Sequence, residues 1–276
     1  MYQLSPSTQK TLRLPFKSKR IASCLLILII IVFAVAEIVQ ASKVDLDAFV
    51  LDPGHSPASP GATSCTGKSE YLYNENLAEA VVSLLKKRGI NVKTTRRKNE
   101  NIPLLKRAGA AKGKKLILSL HHDSVQPQFI VRDVKKRPRT SKAHGYSIFI
   151  SKKNKYYSQS LSYATSLGTA LLKKGLTPTF HHAEKIPGEN RQLLDSRRGI
   201  YLYDDLVVLK NSDAPAILLE AAVIVNPKDE VKASSKKFLD KIAEAIEEMI
   251  ISKEAISQRT TKRVCRDNRK RHVVTD

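Results

Sequence analysis

Four side chains in this sequence have the types needed to hold a metal ion and move a proton beside it: His55, Glu70, His121 and Glu220. Two imidazoles and one carboxylate make a zinc donor set that leaves a fourth position open, the arrangement of catalytic rather than structural sites. Zinc held in this way polarises a carbonyl and makes a water more acidic, which brings amide hydrolysis within reach. Such chemistry also needs a base for the water proton that can later protonate the leaving amine. Glu220 suits that role because it follows the apolar run Ala216–Leu219, where partial burial raises a carboxyl pKa. Taken singly, each residue has an ordinary reading: a strand-end histidine is a common polar residue, and the helix dipole favours a glutamate in a first turn. Their convergence is what argues for a site.

The elements that must position these groups can be read from the pattern of apolar residues. Leu46 to Leu51 reads as a buried strand that stops at Asp52-Pro53-Gly54 and delivers His55 into a loop broken by Pro57, Pro60 and Gly61. Ser69 and Glu70 open a helix whose Tyr73, Leu77, Val81 and Leu84 recur at helical spacing until Gly89. Ile90–Thr95 is a second strand, Pro103–Lys112 a short helix, and Leu116–Leu120 a third strand ending in His121-His122-Asp123. After a basic loop, Gln126–His144, come a strand at Tyr146–Ile150, a helix at Tyr156–Lys174 and an irregular stretch, Pro178–Asp195. A strand at Ala216–Leu219 then delivers Glu220. The last helix, from Asp229 to about Lys253, sets Phe238, Ile242, Ala245 and Met249 on one face. Strands alternating with helices predict a single α/β domain, a twisted, mainly parallel mixed sheet with helices on both faces. In such sheets ligands gather at the carboxyl ends of strands, where His55, His121 and Glu220 fall.

The chain has 276 residues and a formal net charge of +22, which points to an anionic partner. Its first 41 residues read as a basic region and an export signal. Lys10, Arg13, Lys17, Lys19 and Arg20 precede an uncharged run at 21–36, with small-residue cleavage positions at Ala34-Val35-Ala36 and Val39-Gln40-Ala41. The run fits either a cleaved signal or a retained inner-membrane anchor. Residues 42–253 then form the catalytic domain, and 254–276 a basic tail expected to be disordered. Export to the periplasm or cell envelope makes nucleic acid a poor partner, and no helix-turn-helix or stacking-aromatic motif is present. Anionic wall polymer or anionic lipid fits the surplus charge better. Lys135, Lys136, Arg137 and Arg139 in the basic loop, together with the tail, are the expected contacts.

Several motifs in order resemble those of the zinc-dependent N-acetylmuramoyl-L-alanine amidases of the amidase_3 family. They are LDPGH at 51–55, PGA at 60–62 with Glu70, Thr95-Arg96, Leu104 to Arg107, SLHHD at 119–123, GYSIFIS at 145–151 and PAILLEAAVIVNP at 215–227. The resemblance covers roughly residues 46–250. It implies that His55, Glu70 and His121 (rather than His122) hold zinc and that Glu220 is first base, then acid. The implied substrate is peptidoglycan, cut between the lactyl group of N-acetylmuramic acid and L-alanine of the stem peptide; a need for a protein activator stays open. The chain departs from the family pattern in the SPASPGA loop, at Asn99, and in Ala221–Asn226. The segment 181–195, HHAEKIPGENRQLLD, has no counterpart in that pattern. Its His181, His182 and Glu184 are candidates to cap the metal, and its Arg191 to bind a stem-peptide carboxylate, against the ordinary reading of a polar surface loop.

Two other classes compete. Cys65, just before a helix, with His121 would make a cysteine peptidase of the wall, but that leaves His55, Glu70 and Glu220 without a role. A non-catalytic wall-binding protein on the same fold would have no need of Glu220.

Overall fold

The computed structural model describes residues 48–272, with side chains described as far as residue 257. The expected basic region and apolar run at 21–36 lie outside the described residues. Among those described, no helix is long and apolar enough to cross a membrane.

In chain order the elements are β1 (Phe49–Pro53), α1 (Glu70–Lys87), β2 (Lys93–Thr94), α2 (Leu104–Gly109), β3 (Leu116–Asp123), β4 (Val131–Arg132), β5 (Pro138–Arg139), β6 (Ser147–Ile150), α3 (Tyr157–Lys173), β7 (Leu193–Asp195), β8 (Ile200–Leu202), α4 (Val207–Asn211), β9 (Ala216–Val223), α5 (Pro227–Ala233) and α6 (Lys236–His272). Seven strands pair in the order β2-β1-β3-β9-β6-β8-β7, while β4 and β5 form a separate small hairpin. The pairs β1–β2, β1–β3, β3–β9 and β6–β8 are parallel. The pairs β6–β9 and β7–β8 are antiparallel. This is the mixed, mainly parallel sheet that the alternation of elements predicts.

Side-chain parity assigns the two faces. Phe49, Leu51, Leu116, Leu118, Leu120, Ile217 and Leu219 point into a large core against α1, α3 and α6, where Leu77, Val81, Leu167, Ile242, Ile246 and Met249 are fully buried. Each such side chain contributes about 1.5–3 kcal/mol through burial. Val50, Ile117, Phe149, Ala216 and Leu218 point the other way, into a smaller cluster under α4. Asp52, Ser119, His121 and Glu220 share the parity of this second set. They therefore fall on the thinly covered face, at the end of the sheet where β1 and β3 finish.

The structure corrects several expectations. β3 and β9 do not stop before His121 and Glu220 but continue to Asp123 and Val223, because the sheet still pairs there. The stretch 178–195 is not wholly irregular: it contains a 3-10 turn at His181–Ala183 and strand β7. Strand β8 and helix α4 were not expected, since three- and five-residue elements are too short to show a period. The helix expected from Asp229 is two helices, with Ser234 and Ser235 between them. The second continues to His272 where a disordered tail was expected. Beyond Lys253 the apolar period fades, but Glu, Lys, Arg and Gln propagate helix readily from a formed nucleus.

Candidate metal centre and active site

β1 ends at the turn that releases His55, and two buried arginines hold that turn. Arg96 Nε donates to the carbonyl of Pro53 at 3.2 Å and Nη2 to that of Gly54 at 3.4 Å. Arg107 Nη2 also donates to the Pro53 carbonyl, at 3.2 Å. The two guanidinium charges are balanced beneath the turn, Arg96 by Glu75 and Arg107 by Asp52. Asp52 is fully buried and accepts from Arg107 Nε at 2.6 Å, Arg107 Nη2 at 2.8 Å, Ser119 Oγ at 2.6 Å and Thr95 Oγ1. Removing one member of this pair would strand a buried charge, a cost of about 3–5 kcal/mol. The Thr95-Arg96 and Leu104–Arg107 motifs thus act by fixing the backbone from which His55 projects.

His55 itself has φ of +58°, the left-handed region that histidine enters more often than most residues. Its Nδ1 lies 3.2 Å from the carbonyl of Ser59, and its Nε2 faces Glu70 Oε2, 3.1 Å away. Glu70 is the first residue of α1 and is buried. Its Oε2 accepts from the Ala62 N–H at 3.0 Å and its Oε1 from Asn74 Nδ2 at 3.1 Å. Oε1 also lies 3.1 Å from His121 Nδ1. Burial alone would raise the Glu70 pKa, but its bonds to His121 and His55 hold the carboxyl well below the usual range.

Two glycines are required by this packing. A Cβ on Gly54 would lie 2.4 Å from the His121 ring. One on Gly61, at φ +77°, would lie 2.4 Å from Glu70 Oε2. The glycines of the PGH and PGA motifs therefore leave space for the donor groups themselves.

The donor atoms of His55, Glu70 and His121 lie within 4.8 Å of one another. The two 3.1 Å contacts approach the spacing of about 3.3 Å between ligands of a tetrahedral zinc. The residues fit the metal.

His122 takes no part. Opposite parity sends it into the large core beside Tyr73, where its Nδ1–H donates to Asn74 Oδ1 at 2.8 Å. Burial, the leading cause, pushes its pKa down to about 4. Asn74, one turn after Glu70, bonds Glu70, His122 and the Gly54 carbonyl together. It was not singled out from sequence, although its i+4 spacing from Glu70 on a buried face was a readable signal.

Glu220 stands opposite His121 in the β3–β9 ladder. Its Oε2 is buried with no hydrogen-bond partner among the described residues. Burial first, then the charges of Asp123 and Glu70, raise its pKa well above the ordinary carboxylate value. Glu220 lines one cavity with His55, Ser59, Arg107 and His121, and a second with Asp123, His182, Glu189 and Arg191. A carboxyl poised to exchange a proton, facing a metal-competent donor set across a cavity, suits metal-assisted hydrolysis.

The remaining sequence candidates resolve differently. His181 and His182 meet Asp123 rather than the first donor set. Arg191 stacks over the Tyr203 ring at 3.7 Å. Asn226 caps α5, accepting from the Lys228 N–H at 3.0 Å. Cys65 is a free, buried thiol. Burial, then the charge of Glu230, pushes its pKa up to about 11, so it is not the thiolate a cysteine peptidase needs.

A family profile described as N-acetylmuramoyl-L-alanine amidase (Amidase_3) matches residues 49–252. The chain is 28% identical over 233 residues to N-acetylmuramoyl-L-alanine amidase AmiA of Escherichia coli (strain K12), covering 74% of each protein. It is 31% identical over 201 residues to the probable cell wall amidase LytH of Staphylococcus saprophyticus, with 72% of this chain and 55% of that protein covered. The chain thus spans about three quarters of the first relative and about half of the second. Among solved structures, the amidase Ami1 of Mycobacterium smegmatis aligns with a TM-score of 0.60 at 20% identity, over 76% of this chain and 98% of that one. The catalytic domain of CwlV from Bacillus (Paenibacillus) polymyxa var. colistinus aligns at 0.58 and 22%, with 76% and 98% covered. At these identities the two structures speak to the fold alone.

Proposed function

This chain belongs to the N-acetylmuramoyl-L-alanine amidase family, and from that membership we propose a zinc-dependent hydrolysis of the amide between the lactyl group of N-acetylmuramic acid and L-alanine of the stem peptide. It is a peptidoglycan amidase; the metal, the residue roles and the cellular setting are our reading.

The observation that carries this reading is the pairing of Glu220, whose buried Oε2 has no hydrogen-bond partner among the described residues, with His121 of the donor set. His55, Glu70 and His121 would hold the zinc, which would supply Lewis-acid polarisation of the scissile carbonyl and a more acidic water. Ser59 fixes the His55 tautomer, and Ala62 and Asn74 fix the Glu70 carboxylate, so the donors need little reorganisation. Glu220 takes the water proton and returns it to the leaving amine of L-alanine. Its burial, then the charge of Asp123, favour the protonated form, which makes it an effective acid in the second half.

Purified protein incubated with peptidoglycan should release stem peptides that begin at L-alanine, identified by mass spectrometry. Cleavage inside the stem or between sugars would overturn the assignment.

Peptidoglycan lies outside the cytoplasmic membrane, and we assign its delivery there to the basic flank and apolar run at 21–36. Recovery of the full chain in the cytoplasmic fraction would refute that. Of the four loop cations expected to meet anionic wall polymer, Arg137 and Arg139 are held by Asp133 across the β4–β5 hairpin. Lys135 and Lys136 are exposed at its tip. Replacing both with Gln should reduce co-sedimentation with isolated sacculi several-fold at low salt, an effect that high salt abolishes in the parent protein. Unchanged sedimentation would exclude the loop as a contact.

A further inference from the structure

Beyond the proposed zinc centre, a second convergence of donors lies between β3 and the segment 179–191. Asp123 Oδ2 is 2.8 Å from His182 Nε2 and 3.3 Å from His181 Nε2, and the three donor atoms lie within 4.8 Å of one another. All three residues are buried.

The far side of each group is already engaged. Asp123 Oδ1 accepts from the Ser124 N–H at 2.8 Å. His182 Nδ1–H donates to Glu189 Oε2 at 3.0 Å, and Glu189 in turn accepts from Gln126 Nε2 at 3.2 Å. His181 Nδ1 lies within hydrogen-bond distance of Thr179 Oγ1, at 2.9 Å. Each imidazole is thereby turned so that Nε2 faces inward, the outer-shell arrangement that orients metal-bound histidines.

The inner face leaves one donor without a partner among the described residues. His181 Nε2 is buried, at a residue only 5% exposed, and makes no hydrogen bond among the described residues. A proton on His182 satisfies the 2.8 Å contact alone. The His181 and His182 rings lie with their centres 3.8 Å apart, so both Nε2 atoms reach the same oxygen of Asp123. One divalent cation accepts all three lone pairs at once. The β3–β9 register shifts between His121 and Asp123, an irregularity of the ladder at the point where Asp123 is presented.

We propose that Asp123, His181 and His182 form a second divalent-metal site, which clamps the segment 179–191 onto β3 beside Glu220. Two imidazoles and one carboxylate select a zinc-like ion over magnesium or calcium, which prefer all-oxygen shells. The site stands whether or not the first centre holds zinc.

The test is metal stoichiometry on the untagged full-length chain, stripped with chelator, equilibrated with zinc and measured by mass spectrometry of the metal. Two zinc per chain are expected, falling to one in His181→Gln, to one in His121→Ala, and to none in the double variant. One zinc that His121→Ala removes and His181→Gln leaves would overturn the second site. One zinc lost only in His181→Gln would support it and count against the first. Should His181→Gln not fold, Glu189→Gln alters the partner of the outer nitrogen of His182 and should weaken the second zinc by about 10–100-fold. Equal affinity in Glu189→Gln and the parent protein would overturn the proposal.

Discussion

Glu220→Gln should lower kcat/KM on peptidoglycan by about 10²–10⁴-fold while leaving the zinc content unchanged. The amide keeps the size of the carboxylate but takes no proton. The pH profile separates a chemical role from a structural one. Burial is the first cause of the raised Glu220 pKa and persists with metal bound, whereas a bound cation would cancel the charge of Glu70. The base form is needed, so kcat/KM should rise with pH through a value above the ordinary carboxylate range, and the Gln variant should lack that limb. Stability should move the other way. In the metal-free protein the folded state favours protonated Glu220, so stability from this group is present at low pH and lost as pH rises through the raised pKa. Glu220→Gln should therefore melt at a higher temperature than the parent at neutral pH. Loss of activity with a lowered melting temperature and an unchanged pH limb would mean that Glu220 serves packing rather than proton transfer.

His121→Ala should lose activity to the same or greater extent, but by a different route: through loss of the metal. In the parent protein, chelation should abolish turnover and added zinc restore it; in His121→Ala zinc should restore nothing. Zinc binds the folded chain and scarcely the unfolded one, so it should also raise the melting temperature of the parent, by about 4 kcal/mol of stability at a thousandfold excess over Kd. That gain should shrink in His121→Ala. His122→Ala offers the contrast. It should retain zinc and fall in stability, because His122 packs against Tyr73 and bonds Asn74 in the core. Zinc lost with His122→Ala and kept with His121→Ala would reverse the assignment of the pair. Activity that survives chelation would remove the metal from the mechanism altogether; the buried thiol of Cys65 would not replace it.

Much of this protein is readable from one dimension because its main elements are long enough to show a period. Leu116–Leu120 and Ala216–Leu219 are continuous apolar runs, as central parallel strands require. The helices at 70–87 and 236–250 place their apolar residues every three or four positions. From those elements it follows that His55, His121 and Glu220 gather at one end of one sheet, and that Glu70 opens the helix beside them.

What the tertiary structure alone decided is which way each group faces and what it meets. Strand parity separates His121 from His122, but it becomes decisive only once the faces of the sheet are known. The Asp52–Arg107 pair joins residues 55 positions apart, and the Asp123–His182 contact spans 59. No local pattern encodes such distances, because they arise from the order in which strands pair. The same holds for the raised pKa of Glu220, whose first cause is burial beside α4, a five-residue helix with no period to read. Residue types and spacing are local properties and declare the chemistry available; burial and convergence are properties of the packed sheet and decide which of it can occur.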